Sequence, residues 1–316
     1  MIQAAWILAY NILRLHRIVA EALGIEQIMM VIGGSVGGLH ALEWAYTGAF
    51  IKSLGLISTS GKQNSYFLGR NEVQRQCIYM DPKFANGFYS LDDPPIKGLA
   101  VSYMSVLLQA RSEGYFNNRF GQSKCQATRS VPTGTAEEDR EVRLSNCDWE
   151  INNEGCSWLQ PESHRFISNS IVNSTSADND QEALESWLRQ RSEMIARNFD
   201  ANCMIAWLRK IDSHDVSRGR VPVGITNSRD RLVAALALIK QPTLVIGIPG
   251  DMLFSFSEQV ELAQGISNCE FVKVESSYGH DMFLQDPEGP TNEILARFIA
   301  KTLESTKPKI RYSPHL

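Results

Sequence analysis

The stretch from Met29 to Trp44 leaves this chain few ways to fold. An apolar run, Ile28 to Ile32, reads as a short buried strand. Gly33-Gly34-Ser35-Val36-Gly37 follows as a G-x-S-x-G pentapeptide, and Leu39 to Ala45 reads as the opening of a helix. A strand that turns so sharply into a helix forces the serine at the bend into a strained backbone conformation. Side chains at the flanking positions would clash, so glycines are needed there. The helix start then aims N–H groups at the serine, where an oxyanion could form. This is the context of a nucleophile elbow. A Gly-rich turn that merely exposes a serine is the plainer reading of the same residues. A phosphate-binding loop would need Lys-Ser/Thr after the glycines and an acidic residue closing a second strand, and neither is present.

Around this bend the chain alternates strands and helices. Before it, residues 5–23 read as an amphipathic helix ending at Gly24. Its apolar beginning, Met1 to Leu13, resembles a signal anchor. It is too short to span a bilayer, lacks a basic flank and is interrupted by Gln3 and Asn11, so no membrane attachment is expected. After the bend, Ser53 to Ser58 reads as a second strand, which with the helix between makes a right-handed βαβ unit and a parallel sheet. Asn71 to Tyr79 and Gly98 to Arg111 read as helices. Between them Asp81-Pro82 and Leu91-Asp92-Asp93-Pro94-Pro95 signal loops. From Gln122 to about Asp180 the composition turns polar with no sustained period, so a mobile insertion is expected over 122–180, pinned at Trp149 and Trp158. Glu182 to Lys210 reads as one or two helices. Thr243 to Ile248, bounded by Pro242, is a buried strand, and Glu270 to Glu275 is another. Helices over Leu232 to Ile239, Glu258 to Gln264 and Asn292 to Leu303 complete the pattern. The expected organisation is a discontinuous α/β core over 1–80 and 221–316, with a helical lid over 81–220.

Composition excludes several functions. At 316 residues, 43% hydrophobic and 21% charged, the chain is that of a soluble globular protein, and a net charge of −4 argues against nucleic acid as a partner. Six cysteines, without C-x-x-C spacing, argue against a zinc ribbon, so no metal site is expected. They fit free thiols in a reducing compartment, hence a cytoplasmic location. The sequon Asn173-Ser174-Thr175 carries little weight.

Two further groups stand where a catalytic triad would place them. Asp251 follows the strand ending at Ile248, and His280 follows the strand ending at Glu275. In open parallel sheets, active sites lie beyond the C-terminal strand ends, so Ser35, Asp251 and His280 share one edge. Their order, Ser, Asp, His, is that of α/β hydrolases. Ser35 needs His280 as general base, and Asp251 would fix the imidazole tautomer. Singly, an aspartate after a strand is usually a turn residue and a histidine is usually structural.

The elbow followed by Ala41-Leu42-Glu43-Trp44-Ala45 resembles the homoserine O-acetyltransferase family. So do Gln74-Arg75-Gln76 with Asp81-Pro82, Phe199-Asp200-Ala201-Asn202 with Asp212-Ser213-His214-Asp215, Ser257-Glu258-Gln259, and Gly279-His280-Asp281-Met282-Phe283-Leu284. These blocks cover about residues 14–120 and 182–304. The resemblance implies an α/β-hydrolase core with a helical lid, a homodimer, and acetyl-CoA as co-substrate with no bound cofactor. It implies ping-pong transfer through a serine acyl-enzyme to L-homoserine in methionine biosynthesis. L-serine or deacetylcephalosporin C are other acceptors within the family, and a plain esterase would use water. Arg111 matches the family's lid arginine that holds the substrate carboxylate, and Asp281 the aspartate that meets the amine. Gln109-Ala110 stands where Thr-Tyr is common, and Gly250-Asp251-Met252 where Ser-Asp-Gly is usual. The family's N-terminal strands and its oxyanion loop have no counterpart before the first helix. The chain is therefore expected to be truncated, with the Val36 amide as its oxyanion donor. An inactive paralogue acting as a binding protein is the alternative of another class.

Overall fold

The computed structural model describes residues 13–120, 176–285 and 289–306. Their contacts fall into two compact units. The first holds the chain up to Gln76, Leu108–Ser112, and the chain from Asn202 on; the second holds Cys77–Leu107 and Glu113–Ala201.

The first unit is built on a parallel sheet of β1 (Val31–Gly34), β2 (Leu54–Ile57), β3 (Thr243–Gly247) and β4 (Cys269–Lys273), in the order β1-β2-β3-β4. Register pairs Gly34 with Ile57, and Ile57 with Ile246. The two inner strands are buried along their whole length, as continuous apolar runs covered on both faces must be. Alternation then assigns the faces. Leu54, Leu56 and Val245 point to a cluster with Leu13 and Ala20 of α1 (residues 13–22) and Leu42 of α2 (Val36–Ala45). Leu236 of α8 (Ser228–Leu236) and Leu262 of α9 (Phe256–Gly265) complete it. Ile57, Leu244 and Ile246 point the other way, to Ile294 and Phe298 of α11 (Thr291–Thr306). Each fully buried Leu or Ile in these layers contributes about 2 kcal/mol. Gly24 takes φ +74 just after α1, the left-handed turn its sequence position promises; residues 5–12 of the expected helix lie outside the described residues.

The second unit is helical. It contains most of α4 (Ile96–Ala110), α5 (Glu113–Phe120) and α6 (Ser176–Arg197), together with the last turn of α3 (Ser65–Tyr79). Trp187 of α6 is 2% exposed and packs against Phe116 and Phe120 of α5, with ring centroids 6.2 and 5.6 Å away. Asp81 accepts from the backbone of Lys83 and Gly98, which ties the turn after α3 to the start of α4.

Several features depart from the sequence expectation. Helix α5 is not announced by the pattern, because eight residues carry barely two turns of periodicity. Residues 176–180, expected within the mobile insertion, begin α6; the rest of that insertion, with Trp149 and Trp158, lies outside the described residues. Finally, against the expected core over 1–80 and lid over 81–220, residues 108–112 and 202–220 belong to the first unit and residues 77–80 to the second. Ile211 of α7 (Ala201–Asp212) packs with Leu39, Phe67 and Phe254, and Val216 joins the main core cluster.

That region carries a buried polar group with a consequence for pH. His214 is 8% exposed, and its Nε2 has no hydrogen-bond partner among the described residues. Burial, opposed by nearby Glu43, pushes its pKa down to about 4. The unfolded chain therefore binds a proton between about pH 6.5 and pH 4 that the folded chain refuses, so stability falls as pH drops through that window. The expected cost is about 3 kcal/mol by pH 4. Thermal melts of the wild type should lose Tm steeply from pH 6.5 to 4.5, and His214→Gln should flatten that slope. Equal slopes would refute this account of His214.

No helix among the described residues is long and apolar enough to cross a membrane. Among the same residues, no group of three or more His, Cys, Asp or Glu side chains is arranged to hold a metal ion.

Candidate active site

Ser35 lies between β1 and α2 with φ 54° and ψ −126°, a conformation an L-residue enters only under strain. Close packing enforces it. A Cβ on Gly33 would lie 2.1 Å from the Gly37 carbonyl oxygen, and one on Gly38 would lie 2.5 Å from the Thr59 side chain. The Ser35 amide donates to Ile57 O at 2.9 Å, and Thr59 Oγ1 donates to Ser35 O at 2.8 Å, so the bend is fastened to the end of β2. The amide of Val36 opens α2 and has no helical carbonyl one turn back, whereas the Gly38 amide already donates to Ser35 O at 3.0 Å.

The fold brings Ser35, His280 and Asp251 together. His280 Nε2 lies 2.8 Å from Ser35 Oγ, and His280 Nδ1 lies 2.9 Å from Asp251 Oδ2. These contacts assign the tautomer: Nδ1 carries the hydrogen and donates to the carboxylate, leaving Nε2 to accept from the serine. Asp251 and His280 are each 4% exposed, so the contact between them is screened from water, while the one to Ser35 is partly buried. The imidazole is held on two sides by rings, stacked on Phe254 at 5.6 Å and edge-on to Phe283 at 6.0 Å.

The two oxygens of Asp251 have separate tasks. Oδ1 accepts from the amides of Leu253 and Phe254 at 2.8 and 2.9 Å, which shapes the loop after β3. Oδ2 accepts from His280, from Gln259 Nε2 at 3.0 Å and from the Ser58 hydroxyl. Gln259 is fully buried on α9 and also accepts from the Ile248 amide at 2.8 Å. Arg70 of α3 clamps the same loop from outside, donating to the carbonyls of Met252 and Leu253 while its guanidinium covers Phe67.

Sequence reasoning singled out neither Ser58 nor Gln259 as site residues. The signal for Ser58 lay in the register: Gly34 pairs with Ile57, so the residues that follow, Ser35 and Ser58, emerge side by side at the same sheet edge. Gln259 carried no local signal, because its role depends on how the acid loop folds back over α9.

Arg111 and Asp281, far apart in the chain, meet beside the histidine. Arg111 is 2% exposed, with Nη2 3.7 Å from Asp281 Oδ2 and 3.5 Å from Gln285 Oε1. Gly279 makes this approach possible: its φ is +57°, and a Cβ there would lie 2.7 Å from the Ser112 amide. The Ser112 hydroxyl in turn donates to Ser277 O. A surface groove lined by Tyr46, Lys52 and Gln241 lies at the opposite, N-terminal end of the strands, away from this chemistry.

The arrangement can deprotonate a serine hydroxyl, with amides at a helix start beside it. That is the equipment for acyl transfer or ester cleavage.

Comparison with known proteins agrees with the geometry. Residues 9–287 match the α/β-hydrolase fold family. A homoserine O-acetyltransferase of Emericella nidulans is 35% identical over 94% of this chain and 65% of its own length. One from Fusarium oxysporum f. sp. lycopersici is 35% identical over 86% of this chain and 68% of its own. The chain thus spans about two thirds of the length of these relatives, and 60% of one from Schizosaccharomyces pombe. Among solved structures, homoserine O-acetyltransferase from Bacillus anthracis superposes with a TM-score of 0.64 at 17% identity, covering 92% of this chain and 65% of its own. Esterase E22 does so with 0.63 at 19%, covering 91% and 65%. At such identities these two structures speak for the fold alone.

Proposed function

Because the chain belongs to the homoserine O-acetyltransferase family of α/β hydrolases, we propose that it moves acetyl from acetyl-CoA to the hydroxyl of L-homoserine through an acetyl-enzyme at Ser35. The observation that carries this reading is the unbroken relay from Ser35 Oγ through His280 to Asp251, at 2.8 and 2.9 Å. In the first half-reaction Ser35 Oγ attacks the thioester carbonyl and its proton passes to His280 Nε2. The tetrahedral oxyanion is received by the Val36 amide. The C–S bond then breaks, and the CoA sulfur takes the proton from His280 as it leaves. In the second half-reaction His280 removes the proton from the acceptor hydroxyl, whose oxygen attacks the acetyl carbonyl. The proton returns to Ser35 as the C–O bond to the enzyme breaks. Asp251 stabilises the imidazolium in both halves.

Arg111 and Asp281 are the acceptor's two anchors in this reading. A free α-amino acid carries a carboxylate and an ammonium on one carbon. The guanidinium suits the carboxylate, the aspartate suits the ammonium, and the two lie close enough to share such a ligand. The family's setting comes with the reading: methionine biosynthesis, a cytoplasmic location, a homodimer, small-molecule substrates and no bound cofactor.

The test is CoA thiol release from acetyl-CoA by the purified, folded chain, with L-homoserine, L-serine and deacetylcephalosporin C supplied in turn. Release that requires L-homoserine supports the proposal. Release that requires one of the other two keeps the acyl-enzyme and replaces the acceptor. No acceptor-dependent release from a folded sample would sink the transferase reading.

A further inference from the structure

Ser58 takes φ +51° immediately after β2, a backbone region that favours glycine or asparagine over other residues. The chain carries a serine there, 1% exposed, with its hydroxyl between the two inner members of the relay. Ser58 Oγ donates to Asp251 Oδ2 and lies 3.0 Å from His280 Nδ1. A side chain in so costly a conformation, with its only polar atom on the acid and the base, acts on both. We propose that Ser58 is a positioning residue that sets the proton affinity of the Ser35–His280 pair, an inference that rests on the acyl-transfer reading of this site.

The hydroxyl has one hydrogen, and it goes to the carboxylate, where the bond is charge-assisted. Nδ1–H already points to Asp251 Oδ2 at 2.9 Å, nearer than to the hydroxyl, so the lone pairs of Ser58 serve that hydrogen only secondarily. The dominant effect is therefore on the acid. With Ser58 and Gln259 both donating to Oδ2, less of its negative charge is left for the imidazolium. Removing the Ser58 hydroxyl returns that charge to the histidine, which then keeps its proton to higher pH. A protonated His280 cannot act as base, so the acid limb of acylation moves upward while the high-pH rate is preserved.

Two variants separate hydroxyl from backbone. Ser58→Ala removes the oxygen and keeps the positive-φ strain. Ser58→Gly removes the oxygen and relieves the strain. The experiment measures Ser35 acetylation by acetyl-CoA in single turnovers from pH 5.5 to 9 for the full chain and both variants. It also records the low-field proton resonance of His280 Nδ1–H in the resting proteins, assigned with His280→Ala. Both variants are expected to acylate about tenfold more slowly at the acid end and to converge on the wild type at the alkaline end. Both should shift the Nδ1–H resonance alike. Wild-type profiles and resonances in both variants would overturn the proposal. So would a defect in Ser58→Ala that Ser58→Gly lacks, which would trace the effect to the backbone, or an equal loss at every pH. Should the wild type itself form no acetyl-Ser35, the functional reading fails separately, and the resonance still decides whether Ser58 acts on the histidine.

Discussion

Ser35→Ala is expected to reduce acetyl-CoA turnover by about 10⁴- to 10⁶-fold, the loss that follows removal of a serine nucleophile acting as a unit with its base. The substitution isolates chemistry from folding. Alanine differs from serine only by the oxygen, the position already holds φ 54° with a Cβ, and the contacts that fasten the bend are made by the Ser35 backbone. The variant should therefore melt close to the wild type. Intact-mass measurement provides the sharper readout. After brief exposure to acetyl-CoA without an acceptor, the wild type should carry one added acetyl group and the variant none. An acetyl group retained by Ser35→Ala would place the acyl-enzyme elsewhere and discard the assignment of Ser35.

Asp251→Asn should be nearly as damaging, about 10⁴-fold in turnover, and unlike Ser35→Ala it should also lower stability. All five hydrogen-bond partners of the carboxylate among the described residues are donors: the Leu253 and Phe254 amides on one oxygen, and Ser58, Gln259 and His280 on the other. An asparagine offers one oxygen and one NH2 group. Whichever way the amide turns, its hydrogens face donors. If they face His280, the imidazole must expose a bare Nδ1 and place its hydrogen on Nε2, where it cannot take the proton of Ser35. If they face the two backbone amides, the acid loop loses its internal anchor, at a cost of about 1–3 kcal/mol per buried donor left unmet. Kinetics and a thermal melt on the same preparation check both halves. A variant with full activity, or with none but an unchanged Tm, would contradict this account.

The sequence disclosed Ser35, Asp251 and His280 because each follows a strand-like stretch, apolar before the first two and alternating before His280, and a parallel sheet gathers such positions at one edge. Inner strands buried on both faces write themselves as unbroken apolar stretches, so β3 was plain. β1 was displaced, expected over Ile28 to Ile32 but found at Val31–Gly34. Pairing with β2 carries the ladder into the glycines of the bend, and Ile28 keeps only an isolated bridge to Ile51. Other features depend on three-dimensional context with no local trace. Ser58 looked like the last residue of a strand, and Gln259 like a polar residue within a helix. The return of residues 202–220 to the first unit rests on Ile211 and Val216, which join its core clusters; the apolar residues before them, Met204, Ile205 and Leu208, announce an amphipathic helix without saying which unit it packs on. Helix α5 is held by the packing of Phe116 and Phe120 on Trp187, more than sixty residues away, so no short window could reveal it.

The division of labour within Asp251 bears on how such chains change over time. Because one oxygen builds the loop and the other holds the histidine, a lineage that no longer needed catalysis would still be penalised for losing this aspartate. Folding alone would maintain it. An aspartate at this position in a relative is therefore weak testimony that the relative is an enzyme. Ser35 is the more telling residue, since among the described residues its hydroxyl bonds to the histidine alone and drift there would cost the fold little.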